Sequence, residues 1–167
     1  HILAESSLGF ADVGTDHGYL PLGLLSRGYS GYIFASDLRP DPLSKAIAGA
    51  KEAGVYDRIC FSLGDGLDNC PVERIDSIVI AGMGGDTICG ILDRAEWCMD
   101  SRYTLILQPM SKAEVLRYWL TNNEFEITSE ELIEENGEIY QLVKARFGQA
   151  KPLKDSELFL GLSLIHI

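Results

Sequence analysis

The chain has 167 residues, of which 46% are hydrophobic and 23% charged, and its formal net charge at pH 7 is −11. This composition excludes a disordered chain and suffices for one globular domain with a core of its own. The acidic balance argues against a nucleic-acid partner for this polypeptide alone, because phosphate contacts normally come with a basic surface.

The sequence also shows no sign of membrane insertion, secretion or metal binding. No uninterrupted apolar stretch approaches the ~20 residues that a membrane helix needs, and the first residues lack the basic-then-apolar layout of a signal peptide. We therefore expect a cytoplasmic protein with no membrane partner. No C-x-x-C pair is present, so we expect free thiols and no metal site; the cysteines are Cys60, Cys70, Cys89 and Cys98.

The first two thirds of the chain alternate between strand and helix patterns. Apolar runs bounded by turn residues predict strands at 8–14, 32–36, 59–63, 75–83 and 103–109. Segments with helical spacing lie between and after them, at 18–28, 41–54, 84–95 and 111–123. Ser111 and Glu114 form a capping-box pattern for the last of these helices. The alternation predicts an α/β fold with a mostly parallel sheet and helices on both faces.

The pattern changes after the last of these helices. Residues 125–147 hold two β-rich stretches joined through Asn136-Gly137, a strong hairpin signal, with no helix between them. The acidic run 129–136 within them predicts an exposed hairpin face. A seven-stranded sheet that ends in an antiparallel hairpin resembles the Rossmann-like class I S-adenosylmethionine methyltransferases, whereas a dinucleotide-binding half-fold would continue with parallel units.

The two ends of the chain differ from its centre in character. We expect residues 1–148 to form the domain and 149–167 to be a linker and the start of a helical extension. The final "GLSLIHI" shows no recognisable helix-capping or turn pattern, so we expect it to be non-native and assign no function to His166.

Ligands of open α/β sheets bind at the carboxyl ends of the strands, so the loops that follow the strands are the candidate site. After the first strand, Gly14 lets the backbone approach a ligand and Asp12 could take an ammonium group; the alternative is a plain turn in which Asp16 caps the helix. After the second strand, Asp37 could accept hydrogen bonds from both hydroxyls of a ribose, or could cap the next helix. After the third strand, Asp65 could accept an adenine amino group or belong to a simple turn.

The loops after the fourth and fifth strands are the most unusual. The run Ala81 to Asp86 has three glycines in four positions, which predicts that a ligand comes very close, because tight packing would explain one glycine but not three. Gln108 could pair with a base edge, and Pro109 could simply end the strand. Tyr19 could stack on a base or pack against the helix.

Five motifs in this order and spacing resemble the bacterial tRNA (adenine 22, N1)-methyltransferase family: "DVGTDHGYLP", "ASDLRP", "GDGL", "IAGMGG" and "LILQPM". The resemblance covers residues 8–147. It implies S-adenosylmethionine as cofactor and tRNA as partner, with tRNA binding expected to need a C-terminal helical extension.

The resemblance also implies roles for individual residues. The expected cofactor-binding residues are Asp12, Gly14, Thr15, Asp16, His17, Asp37, Leu38, Gly64, Asp65, Gly66, Ala81, Gly82, Met83, Gly84 and Gly85. The expected substrate contacts are Tyr19, Gln108, Pro109 and Met110. Methylation at N1 leaves the adenine ring cationic, and the carboxylates that could stabilise this charge are Asp16 and Asp86.

Three other functions are compatible with parts of the pattern. The acidic surface would suit a methyltransferase of a small molecule or a protein. A binding module could sense S-adenosylmethionine without turnover. A nicotinamide-dependent oxidoreductase could use Asp37 for its ribose, but the terminal hairpin and the absence of G-x-G-x-x-G weigh against it.

Overall fold

The computed structural model describes residues 8–135 and 137–162. Its strands are β1 (Gly9–Val13), β2 (Tyr32–Asp37), β3 (Ile59–Leu63), β4 (Ser77–Gly84), β5 (Thr104–Ser111), β6 (Phe125–Glu135) and β7 (Glu138–Phe147). Its α-helices are α1 (Tyr19–Ser26), α2 (Pro40–Glu52), α3 (Gly85–Arg94), α4 (Ala113–Asn122) and α5 (Asp155–Leu160). Each predicted strand and helix is present, with bounds that shift by one or two residues at most ends.

The strands form a seven-stranded sheet in the order β3-β2-β1-β4-β5-β7-β6. β2 pairs in parallel with both β1 and β3, while β7 is antiparallel to β5 and to β6. The predicted fold class, a mostly parallel sheet with a C-terminal antiparallel hairpin, is therefore confirmed. Of the two residues predicted for the hairpin turn, Asn136 lies outside the described residues, as do 1–7 and the tail 163–167.

The chain divides into two compact units, His1–Val79 and Ile80–Ile167, with the division inside β4. In the first unit β1 is buried along its whole length, and its neighbour β2 is buried from Ile33 onward. In the second unit the first four residues of β5 are buried, as are Leu116 and Leu120 of α4. Strands that are buried on both faces have continuous apolar sequences, so the apolar pattern was sufficient to predict where these strands lie.

The start of α4 differs from the sequence prediction. β5 continues two residues past Pro109, so Pro109 does not end the strand and Ser111 is its last residue. The N-cap of α4 is Lys112, in the left-handed region at φ 54°, and no side chain caps this helix. The capping box predicted from Ser111 and Glu114 is therefore wrong, because the helix begins one residue later than that pattern requires.

The prediction that the acidic run 129–136 faces solvent is wrong for Glu130, which is buried. An irregularity in the pairing of β6 with β7 between Ile127 and Ser129 inserts one extra residue. Because side chains alternate between the two faces of a strand, one extra residue reverses the direction of every later side chain. Glu130 is thereby directed into the protein.

Glu130 forms a buried ion pair with Arg117 of α4, and the two side chains are 0% and 2% exposed. Nε and Nη2 of Arg117 donate to Glu130 Oε1 at 2.9 and 2.7 Å, and Nη1 donates to the carbonyl oxygen of Leu158 at 2.6 Å. Gln141 Nε2 also donates to Oε1, and the backbone N–H of Leu162 donates to Oε2. The network ties α5 and the residues after it to α4, β6 and β7.

Within the described residues, no helix is both long and apolar enough to cross a bilayer. The same ranges contain no group of three histidine, cysteine or acidic residues that could hold a metal ion. All four cysteines are free thiols, with Cys89 and Cys98 buried.

Candidate functional site

Two buried carboxylates lie at the carboxyl ends of adjacent parallel strands in the first unit. Asp12 on β1 is paired in register with Ala35, two residues before Asp37 on β2. Asp12 and Asp37 are only 6% and 5% exposed. Buried carboxylates without a full set of partners are costly, so their placement at this edge points to a functional role.

Asp37 orders the loops around it through both of its carboxylate oxygens. Oδ2 accepts the backbone N–H of Asp16 at 3.1 Å, and Oδ1 accepts the backbone N–H of Arg39 at 2.9 Å. The Arg39 side chain is 71% exposed, with Nε 3.9 Å from Oδ1. An ionised carboxylate has about four acceptor positions, so Asp37 retains capacity for ligand hydroxyls.

Asp12 is held in an unfavourable environment for its charge. Burial, with a smaller contribution from the nearby charge of Asp37, raises the pKa of Asp12 to about 6, and the side chain of Thr15 offsets only part of this shift. The buried Thr15 hydroxyl has no partner in good hydrogen-bond geometry. A ligand with an ammonium group would compensate the charge of Asp12, and a polar ligand would satisfy Thr15.

The rest of the first loop is more exposed. Asp16 has a positive φ of 50°, and its Oδ2 is 2.8 Å from His17 Nδ1. The His17 ring stacks on that of Tyr19 with a centroid distance of 5.5 Å, and Tyr19 is 75% exposed. The alternative in which Asp16 caps the helix is wrong, because the N-cap of α1 is Gly18 and no side chain caps it.

The loop after β3 is fastened to the carboxyl end of β2. The Ser36 hydroxyl donates to the carbonyl oxygen of Gly66 at 2.7 Å, and the Gly64 N–H donates to the carbonyl oxygen of Asp37 at 3.1 Å. These bonds bring the predicted ribose and adenine loops together within the first unit, with Asp65 and Leu38 exposed at the surface. The sequence analysis did not identify Ser36 as a residue of the site, although a hydroxyl group directly before Asp37 could have indicated one.

In the second unit, the three glycines of the run from Ala81 to Asp86 span the end of β4 and the start of α3. Gly82 has a φ of 75°, which favours glycine. A Cβ on Gly84 would lie 2.9 Å from Asp86 Oδ1, and one on Gly85 would clash with the carbonyl oxygen of Lys112. Tight packing against backbone thus accounts for Gly85 alone, because a Cβ on Gly82 would meet no atom within 4 Å and the atom nearest a Cβ on Gly84 is the end of an exposed side chain.

The residues at the end of β5 hold this glycine run. Gln108 Oε1 accepts the backbone N–H of Gly82 at 2.9 Å, and Lys112 Nζ donates to Asp86 Oδ2 at 2.7 Å. Lys112 lowers the pKa of Asp86, with a further contribution from backbone N–H groups, so Asp86 is ionised and a weak proton acceptor. Lys112 was not singled out from the sequence, although a basic residue directly after a strand was a usable signal.

The remaining predicted substrate contacts differ in exposure. Met110 is 57% exposed, whereas Pro109 is buried within β5. Gln108 Nε2 lies 3.4 Å from both the Pro109 carbonyl oxygen and Met110 Sδ. Of the three, Met110 offers the most surface to a ligand.

The sequence matches a known family and a named relative. Residues 2–143 match a family model described as a methyltransferase domain. Over 155 residues the chain is 34% identical to the tRNA (adenine(22)-N(1))-methyltransferase of Bacillus subtilis (strain 168). The match covers 92% of this chain and 63% of that protein, so the chain spans less than two thirds of this relative's length.

Solved structures show the same relationship. The fold is similar to that of the B. subtilis tRNA methyltransferase TrmK, with a TM-score of 0.86 and 28% identity over 95% of this chain and 70% of that one. It is also similar to a Streptococcus pneumoniae protein solved in complex with S-adenosyl-L-methionine, with a TM-score of 0.84 and 32% identity over 92% of this chain and 72% of that one. The chain therefore belongs to the methyltransferase-domain family, and the resemblance to tRNA (adenine 22, N1)-methyltransferases found in its motifs is confirmed.

Proposed function

We propose that the chain transfers a methyl group from S-adenosylmethionine to N1 of adenine 22 in tRNA. The observation that carries the proposal is the match, over 92% of the chain, to a B. subtilis protein with this activity in its name. The relative solved with S-adenosyl-L-methionine supports the choice of cofactor. A protein that modifies tRNA is expected to work in the cytoplasm.

The described residues of the first unit fit this cofactor. Asp12 lacks a compensating cation, and Thr15 lacks a good hydrogen-bond partner. The ammonium and carboxylate of the methionine moiety would meet both needs, while Asp37 would hold the ribose and Asp65 the adenine amino group. Gly14, Asp16, His17, Leu38, Gly64 and Gly66 are proposed to border the same molecule. When bound, the cofactor supplies an electrophilic methyl group.

The residues of the second unit are proposed to act on the substrate side of the reaction. Ala81 to Gly85 would line the reacting centre, and Met110 offers exposed surface to the target nucleotide. N1 of neutral adenine already carries a lone pair, so the protein does not have to remove a proton before attack. Positioning can then supply about 7 to 11 kcal/mol of barrier lowering, more than a general base would.

Two exposed groups are suited to the product and to the target base. The carboxylate of Asp16 is 54% exposed and would stabilise the positive charge that N1 methylation leaves on the ring. The Tyr19 ring, supported by His17, would stack on a base. The target nitrogen is normally engaged in base pairing, so the base has to be unpaired or flipped before it reacts.

Replacement of Asp37 tests the cofactor assignment. Asp37→Ala is expected to weaken binding of S-adenosylhomocysteine by about 10- to 100-fold, because it removes charge-assisted hydrogen bonds of about 1.5 to 3 kcal/mol. Calorimetric titration would measure the affinity. The matched control is Asp41→Ala, an exposed carboxylate in the first turn of α2, which should bind as the parent does.

Two further arms of this experiment distinguish the alternatives. Binding of NADH without binding of S-adenosylhomocysteine would contradict the methyltransferase proposal in favour of an oxidoreductase. Methyl transfer is then assayed with total tRNA and radiolabelled cofactor. Binding of S-adenosylhomocysteine without transfer to tRNA would favour another substrate or a sensing module.

A further inference from the structure

We propose that Gln108 and Lys112 clamp the glycine run, residues 82–86 at the end of β4 and the start of α3, at its two ends. Asp86 is then a positioning residue in this clamp rather than the group that stabilises the product charge. This inference rests on the proposed function for its effect on catalysis. The clamp itself lies wholly within the second unit and can be tested without any assay of activity.

The two attachment points have the same spacing on both segments. Gly82 and Asp86 are four residues apart, and so are their partners Gln108 and Lys112. The segment at the end of β5 therefore runs along the glycine run and holds it at both ends. Between these points, the close approach of the Lys112 carbonyl oxygen to Gly85 leaves no room for a side chain.

The hydrogen bond from Gly82 has a defined direction. A backbone N–H can only donate, so the atom that Gln108 presents to it must be the carbonyl oxygen Oε1. This bond holds Gly82 in its left-handed conformation at φ 75°. Without the bond, the exposed N–H would be satisfied by water and the glycine would regain its conformational freedom.

The other attachment point has the chemistry of a structural ion pair. Asp86 Oδ2 accepts a hydrogen bond from Lys112 Nζ at 2.7 Å, and Asp86 lies in the first turn of α3. The negative charge of Asp86 is therefore already balanced by the ammonium group of Lys112. The carboxylate anchors the start of α3, whose first residue is Gly85, the last glycine of the run.

Amide hydrogen exchange tests the clamp directly. Gln108→Met removes the acceptor at similar side-chain length, so the Gly82 amide should exchange about five- to tenfold faster. Gln108→Glu keeps an acceptor oxygen and should leave the exchange near that of the parent protein. Unchanged exchange of Gly82 in Gln108→Met would overturn the proposal.

Steady-state kinetics with tRNA test the role of Asp86. Asp86→Asn keeps an oxygen for Lys112 but carries no charge, so its kcat should stay within about threefold of the parent, whereas Asp86→Ala and Lys112→Met should lose about tenfold or more. The KM for S-adenosylmethionine should stay unchanged in all three, and Lys45→Met, on an exposed lysine of α2, is the control. If Asp86→Asn loses as much kcat as Asp86→Ala, the charge of Asp86 acts in catalysis and the positioning role is wrong. If the parent protein does not methylate tRNA at all, the proposed function fails, while the exchange experiment still decides whether the clamp exists.

Discussion

Arg117→Ala is expected to lower the free energy of unfolding by about 3 to 5 kcal/mol, because it leaves the buried charge of Glu130 without its partner. From the described part of the chain, the carboxylate would keep two neutral donors, the side chain of Gln141 and the backbone N–H of Leu162. Urea denaturation followed by tryptophan fluorescence would measure the change as a shift of the midpoint at constant slope.

A double variant separates the ion pair from the packing. Arg117→Leu combined with Glu130→Leu removes both charges and should be clearly less destabilising than the sum of the two single changes. It should not recover fully, because the Leu158 carbonyl oxygen and the Leu162 N–H lose their partners. Lys151→Ala, which removes an exposed pair with Glu126 at 3.8 Å, should change stability by less than about 1 kcal/mol. A loss of that small size for Arg117→Ala would contradict the buried network.

Asp12→Asn is expected to make the protein more stable at pH 7 to 8 by up to about 3 kcal/mol, while leaving its stability near pH 3.5 almost unchanged. Burial raises the pKa of Asp12 from 3.8 to about 6, so the folded state holds the proton more tightly than the unfolded state. The stabilisation from the neutral carboxyl is complete below pH 3.8 and is lost as the pH rises through about 6. Asparagine has the same shape and no charge to lose.

Denaturation midpoints measured from pH 3.5 to pH 8 would show this behaviour as curves that diverge between pH 4 and pH 6. The same substitution should weaken the binding of S-adenosylhomocysteine, because the carboxylate proposed to face the ammonium group is gone. Higher stability with lower affinity would mark Asp12 as a group kept for binding at the expense of folding. A stability difference that does not depend on pH would contradict the raised pKa, and Asp41→Asn is the exposed control.

The alternation of strands and helices was predictable because its causes are local. The strand β1 and the buried part of β5 are continuous apolar runs, and the helices between strands show helical spacing with turn residues at their ends. The candidate site was predictable for a similar reason. In a parallel sheet the carboxyl ends of the strands lie at one edge, so Asp12 and Asp37 could be assigned to it without any coordinates.

The sequence predictions were wrong where the structure depends on a contact with a residue far away in the sequence, or on one extra residue in a strand. The pairing irregularity before Ser129 directs Glu130 inward, although residues 131–134 of the acidic run are exposed. The role of Arg117 depends on that reversal, since nothing within its own helix requires a buried arginine. The tight packing of Gly85 could not be predicted either, because the approach of Lys112 to Gly85 joins segments that are far apart in sequence.

The sequence by itself thus determined the order and type of the elements, the family and the edge of the sheet that carries the candidate site, because periodicity, turn residues and short motifs are local properties. Only the tertiary structure decided that burial raises the pKa of Asp12, that Lys112 balances the charge of Asp86 and that Arg117 and Glu130 form a buried ion pair. The physical reason is that burial and charge pairing are set by all the groups that surround a side chain, and most of those groups come from other parts of the chain.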